Sequence, residues 1–333
     1  MSAAATTSGR FLDLRALAAL ENMQFVTRQA VDGSYTGRHR SPRHGGAGEF
    51  ADFREYTEGE DLRHLDWKVL ARTGRAYTRL YHDETNLRAV VAIDVSSSMA
   101  FGGHGGRARQ GLARARQGLA RARQGLARVS QGSARASHRS KLEYAQYLAA
   151  SLVHVIVRGQ DQAGLAILSD HLETRLAPGG TPQHEAVVQA AIERVSPRPA
   201  RRLAGGLRTL YEQAGRRGTL ILVSDFLFED LEEAFADLRL YRHGRWEVVL
   251  LHLVHPDEER LPDGTAYRFV GLEGEGEVEA SPADLQAEYE RRFANHLSMV
   301  RSLAGGSGCD YRRVSTAVPY LQTLRGFLIE RSG

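Results

Sequence analysis

The sequence predicts an α/β fold: a mainly parallel sheet covered by helices on both faces, preceded by a small N-terminal extension. Two observations carry that prediction. From Ser140 onward, short apolar runs rich in β-branched residues alternate with stretches of helical periodicity, the pattern of βαβ units. The apolar runs at 89–93 and 219–223 each lead into an aspartate, Asp94 and Asp225. In open α/β sheets ligands sit at the carboxyl ends of the strands, so two acids placed there mark one edge as the site.

Taken in order, residues 11–30 (FLDLRALAALENMQFVTRQA) place apolar side chains at helical spacing and predict an amphipathic helix. Residues 31–48, rich in Gly, Arg and His, have no period and predict a long loop. His39 and His44 lack a cysteine or carboxylate at ligand spacing and read as solvated loop residues. Further on, Gly59 breaks the chain, 61–71 predicts a short helix with Leu62, Leu65, Val69 and Leu70 inward, and 76–82 alternates as a strand. Arg54, Glu55, Glu60, Asp61, Arg63 and Asp66 crowd around Tyr56 and Trp67. No nucleophile or acid–base pair stands among them, so this block reads as an ion-pair network with a structural or docking role.

Residues 89–93 then predict a buried strand, followed by a tandem repeat. Residues 107–113, 114–120 and 121–127 each read RARQGLA, and 128–134 (RVSQGSA) is a decayed fourth copy. The apolar residues follow a heptad, but each unit carries a Gly that costs about 1 kcal/mol in a helix interior. The repeat therefore reads as a solvated, partly helical insertion. After it come helix 141–157, a hairpin of strands 162–168 and 172–176 turned at Ser169-Asp170, and a helix through Val195 opened by Thr181-Pro182. Helix 203–214, strand 219–223, helix 231–241 and strand 246–254 follow. An antiparallel patch at 267–278, helix 282–303, strand 311–314 and helix 318–331 complete the chain. The division is an extension at 1–87 and a main domain at 88–331, with the insertion at 107–135.

Composition narrows the function classes. The 333 residues can bury a substantial core, and no apolar run reaches bilayer-spanning length. The first residues have no charged region followed by an apolar stretch, so no secretory signal is expected. Cys309 is the single cysteine, which excludes an internal disulfide and a cysteine zinc cage and fits a reducing, cytoplasmic compartment. The net charge of +4 is misleading: residues 107–141 hold nine Arg and one Lys and no acid, leaving 34 basic against 40 acidic residues elsewhere. The basicity is local to the insert, and a nucleic-acid role cannot be read from it.

The chemistry concentrates at Asp94, Ser96 and Ser98, spaced Asp-x-Ser-x-Ser where a strand runs out. A carboxylate and two hydroxyls at alternate positions can turn toward one point, and oxygen donors of this kind suit a hard cation such as Mg²⁺. Asp and Ser are also favoured turn residues, so a plain Ser-rich turn stays open.

With these residues in view, the chain resembles the von Willebrand factor type A domain, whose metal-ion-dependent adhesion site uses Asp-x-Ser-x-Ser after its first strand. It is more closely similar to the bacterial family catalogued as domain of unknown function fifty-eight. GEFADFREYTEGEDLRHLDWKVLARTGRAYTRLYHDET, IDVSSSMAFG, KLEYAQYLAASL, VSDF and PYLQTLRGFLIER carry the resemblance, which spans nearly the whole chain apart from the heptapeptides. It implies a von Willebrand factor A-like (Rossmann-like) fold. It also implies pairing with a MoxR-type AAA+ ATPase in a chaperone-like or maturation system. Asp94, Ser96 and Ser98 match the first metal loop and Asp225 the third-loop aspartate. The second loop departs: where type A domains have a Thr two residues before the Leu that starts the next helix, this chain has Arg201 before Leu203. A guanidinium cannot ligate a cation and could itself fill the cation's place between Asp94 and Asp225. Thr181, before an earlier helix, is the fallback hydroxyl.

Four functions stay open. One is a non-enzymatic binding module whose Mg²⁺ is completed by a partner's acidic side chain. A second is a metal-free scaffold docking through Arg54, Glu55, Tyr56, Asp61, Asp66 and Trp67. A third is a metal-assisted hydrolase, disfavoured by the lack of a His or Lys base near the motif and of a nucleophile elbow or phosphate loop. The fourth is a nucleic-acid or membrane binder acting through the Arg-rich repeat.

Overall fold

The structure is a computed structural model that describes residues 9–13, 17–20, 23–27, 39–56, 65–85, 87–102, 140–215, 217–262, 267–272 and 276–332, with the side chains of 19, 39–54, 78–85 and 270 outside that description. The heptapeptide repeats, Asp61 and the start of the 61–71 helix lie outside the described residues.

The segment at 11–30 departs from expectation. Its described residues form a turn, a single 3₁₀ turn at Ala18–Leu20 and chain without regular structure, although Phe11, Leu12, Leu17, Leu20 and Phe25 are all buried. The apolar spacing records contact with the domain. The carbonyls that a helix would satisfy internally are met by guanidinium groups: Arg158 donates to Leu20 O and Met23 O, and Arg331 Nε to Val26 O at 2.7 Å. The loop expected through residue 48 is also corrected. β1 (His39–Glu55) already begins at His39 and pairs antiparallel with β2 (Tyr77–Thr85), its Gly-rich half accommodated by register shifts between Arg40, His44 and Glu49. Between them α1 (Trp67–Thr73) starts one residue after Asp66, whose Oδ1 accepts from Lys68 N and Val69 N.

The main sheet is built from β3 (Arg88–Asp94), β4 (Gln162–Leu168), β5 (Leu172–Gly179), β6 (Gly218–Ser224), β7 (Trp246–Val254) and β10 (Asp310–Ser315), in the order β10-β7-β6-β3-β4-β5. Only the edge strand β5 runs antiparallel. Period-two burial divides each strand between two cores. Val91 and Ile93 of β3 and Ile221 and Val223 of β6 join α2 (Lys141–Arg158), α3 (Pro182–Glu193) and α7 (Tyr320–Ser332) on one face. Val90, Ala92, Leu220 and Leu222 join α4 (Ala204–Ala214), α5 (Leu231–His243) and α6 (Pro282–Gly306) on the other. β7 is buried along all nine residues, as a central parallel strand requires. A separate antiparallel pair, β8 (Tyr267–Val270) and β9 (Glu277–Ala280), precedes α6.

The order reverses between β3 and β6. After β3 the chain winds outward through β4 and β5, then returns to β6 and winds the other way through β7 and β10. The carboxyl ends of β3 and β6 therefore open onto the crevice of a doubly wound sheet. A parallel sheet of this order with one antiparallel edge is a von Willebrand factor A-like fold. Among the described residues no helix is long and apolar enough to cross a membrane.

Candidate functional site at the switch point

Two aspartates from neighbouring strands converge here. Asp94 ends β3 and Asp225 follows the last residue of β6, each 1% exposed. The first loop folds back on Asp94: Ser96 N donates to Oδ1 at 2.8 Å, and a 3₁₀ turn at Ser97–Ala100 brings Ser98 beneath Ser96, their hydroxyls 3.0 Å apart. From the next strand Ser224 Oγ donates to Asp94 Oδ2 at 2.6 Å. The Ser98 hydroxyl bonds to Asp225. The two strand ends and both hydroxyls thus form one buried network, as the Asp-x-Ser-x-Ser spacing anticipates.

The third loop turns sharply. Phe226 sits in the left-handed region at φ 56°, costly for a bulky residue, and is held there by ring contacts with Phe228, Phe235 and His252. That turn lets Ser224 Oγ accept from Phe226 N and Asp225 Oδ1 accept from Leu227 N.

The cation beside Asp225 is Lys141, which sequence reasoning passed over. Its Nζ lies 2.6 Å from Asp225 Oδ2 and also donates to Glu258 Oε1, and its side chain is 0% exposed. Glu258 is fixed in turn by a capping box, accepting from His255 N at 2.8 Å. Burial alone would lower the Lys141 ammonium, but Asp225 and Glu258 outweigh it and hold it above its ordinary range. Burial likewise opposes the Asp225 charge, yet Lys141 and three hydrogen bonds keep that carboxyl below the usual range. Asp94 has no such ally. Burial and the neighbouring Asp225 charge push it up to about 7, so below that pH the pair carries one proton, held by Asp94.

Arg201 does not enter the site, contrary to expectation. Asp170 Oδ1 accepts from the backbone of Arg201 and Arg202, and Asp230 accepts from Leu203 N and Ala204 N, which pins the loop with its guanidinium groups outward. Arg201 then pairs with Glu229 and Arg202 with Glu233. The part of this loop that touches the motif is Arg198, whose N–H donates to Val95 O at 2.7 Å. Thr181 also fails as a ligand. It caps α3, accepting from His184 N at 3.1 Å, and follows a strand whose end pairs with Ala163, at the opposite edge of the sheet from Asp94.

These donors do not fit a resident Mg²⁺. Asp225 and Glu258 already hold an ammonium, Asp94 favours its proton, and the second loop brings arginines instead of a hydroxyl. Among the described residues no group of three His, Cys, Asp or Glu side chains is arranged to hold a metal.

Of the block at 54–67, Arg54 pairs in register with Thr78, Glu55 is exposed and Tyr56 half-buried. Asp66 is buried as a helix cap, while Trp67 is 60% exposed. The rest of the expected network, the Arg54 side chain and residues 57–64, lies outside the described residues.

The chain is similar in sequence to several known proteins. The "Uncharacterized protein Mb1516" of Mycobacterium bovis and the "Uncharacterized protein Rv1480" of Mycobacterium tuberculosis are each 24% identical over 324 residues, 96% of this chain and 90% of theirs. Among solved structures, an aerotolerance-related membrane protein from Bacteroides fragilis matches at 16% identity, covering 73% of this chain and 98% of that one, with a TM-score of 0.42. The conserved hypothetical protein BatB from Bacteroides thetaiotaomicron matches at 15% over the same shares, also with a TM-score of 0.42. The family described as "Protein of unknown function DUF58" matches residues 52–125 and 125–299, and the chain belongs to that family.

Proposed function

We propose that the chain is a non-enzymatic protein-interaction module of the cytoplasm. It offers the carboxyl edge of its sheet to a MoxR-type AAA+ ATPase in a chaperone-like or maturation system. The observation that supports this most is the state of the switch-point groups. Asp94, Ser96, Ser98 and Asp225 are tied to one another, to Ser224 and to Lys141, which favours a rigid contact platform over a reaction centre. Around it stand part-exposed arginines, Arg198, Arg201, Arg202 and Arg313, each partnered with a glutamate. Arginine at the rim of a rigid edge is well suited to a protein interface.

The reading is metal-free, because the donors are engaged internally. Mg²⁺ completed by a partner's acid is the competing account, and it requires Lys141 to leave. The Trp67 surface on α1 is the second docking candidate, favoured by its exposed indole.

The test is capture of partners from native cell extract on the immobilised chain, with and without chelator. The expected result is retention of an AAA+ ATPase in both conditions, weakened by Arg201→Glu with Arg202→Glu at the sheet edge or by Trp67→Ala on α1. Loss of the ATPase in chelator alone would favour the Mg²⁺ account. Failure to retain any ATPase would overturn the partner assignment. A steep salt dependence lost on deleting residues 107–135 would move the contact to the Arg-rich repeat.

A further inference from the structure

We propose that Lys141 is the built-in cation beside the Asp-x-Ser-x-Ser site, an ammonium fixed to the chain on Asp225 and Glu258 that takes the place of a divalent ion there. The inference rests on reading this edge as the contact site, but not on which partner binds there.

Four observations carry it. The ammonium lies on Asp225, 2.6 Å away, donates to Glu258 and faces the Phe101 ring at 5.8 Å, so carboxylates and an aromatic face surround it. Its position is otherwise unfavourable. Lys141 is the first residue of an 18-residue helix, at the positive end of the dipole, and is buried there; only paired carboxylates offset both costs. Its backbone is fixed as well, since Lys141 N donates to Phe101 O at 3.0 Å, closing the base of the excursion at 102–140. The composition adds the fourth. Of 44 basic residues only Lys68 and Lys141 are lysines. A chain that uses arginine almost everywhere keeps, at this buried point, the compact charge that a planar guanidinium cannot replace.

Having only two lysines makes the test direct. The native protein is treated with an amine-acetylating reagent in EDTA and in millimolar MgCl₂, and modification is read by mass spectrometry. Lys68, which is exposed, serves as the internal standard. The expected result is full acetylation of Lys68, protection of Lys141, and the same ratio in both buffers, with both residues reacting once the chain is denatured. Calorimetric titration of the same protein with MgCl₂ then gives no saturable heat. Reaction of native Lys141 at the rate of Lys68 would overturn the proposal, and so would MgCl₂ exposing Lys141 or binding stoichiometrically.

A second arm uses Lys141→Ala, which leaves a compartment of acids without a counter-charge. MgCl₂, but not NaCl at matched ionic strength, raises its unfolding midpoint; a folded variant indifferent to MgCl₂ counts against the proposal. The labelling arm needs no variant and decides alone if Lys141→Ala does not fold. Neither arm involves the ATPase, so failure of the partner assignment would be seen separately.

Discussion

The two aspartates of the site should respond to the same substitution in opposite ways. Asp94→Asn replaces a carboxyl that already favours its proton; the carboxamide oxygen keeps the acceptor for Ser96 N, while its NH₂ stands where Oδ2 accepts from Ser224 Oγ, so that hydroxyl must turn to accept instead. Asp225→Asn instead removes one of the two carboxylates that hold a fully buried ammonium, a loss of about 3–5 kcal/mol for breaking a buried pair. The pH dependence separates them further. The native Asp94 keeps its proton up to about 7, whereas the unfolded chain releases it near 3.8. The folded state therefore binds the extra proton between these values, and stability falls as pH rises through that window and levels off above it. The gap corresponds to at most roughly 4 kcal/mol. Urea unfolding of wild type, Asp94→Asn and Asp225→Asn at pH 6 and pH 8 measures all of this. Asp94→Asn is expected to be more stable than wild type already at pH 6, by a margin that is larger still at pH 8, and without the slope between them. Asp225→Asn is expected to be strongly destabilised at both. Equal losses from the two variants, or an unchanged slope in Asp94→Asn, would refute the assignment of the proton to Asp94 and the charge to Asp225.

Other outcomes follow from the same network and its frame. His252 is buried, bonded through Nδ1 to Tyr311 Oη at 2.9 Å, and burial pushes it down from 6.5 to about 3. Stability is thus fully present above pH 6.5 and lost as pH falls toward 3, and acid titration of His252→Gln should show a shallower loss across that range. Deleting residues 107–134 shortens the excursion between Phe101 and Lys141 from 39 residues to 11, which should stabilise the fold by about 1 kcal/mol in denaturant titration. A large destabilisation would instead mean that the repeat packs on the domain. Gly218→Ala would place a Cβ 2.7 Å from both Arg88 O and the Trp246 ring, and thermal unfolding should report a loss of about 1–3 kcal/mol.

The main domain was legible because its strands are short apolar runs bounded by turns. The strand expected at 246–254 forms over those residues, and Asp94 and Asp225 meet because acids that close neighbouring parallel strands have one edge to share. The extension was less legible. Residues 11–27 carry the apolar spacing of a helix, but side-chain donors from Arg158 and Arg331 satisfy their carbonyls, a tertiary effect that local periodicity cannot register. The Gly-rich start of β1 reads as loop until the partner strand is known. At the site, reasoning by loop position proposed Arg201. Backbone capping by Asp170 and Asp230 turns that side chain outward, and the cation arrives from Lys141, beyond the repeat. One signal was available. A lysine stands at the head of an apolar helix, where dipole and burial both disfavour it, in a chain with only one other.

The central claim is that an ammonium held by Asp225 and Glu258, not a divalent ion, is the cation of this site. Crystals grown in MnCl₂, with diffraction recorded where manganese scatters anomalously, test it most directly. The account predicts no anomalous peak between Asp94 and Asp225, with Lys141 Nζ bonded to Asp225 and Glu258. A manganese peak coordinated by Asp94, Ser96 and Ser98, with Lys141 turned away, would contradict it.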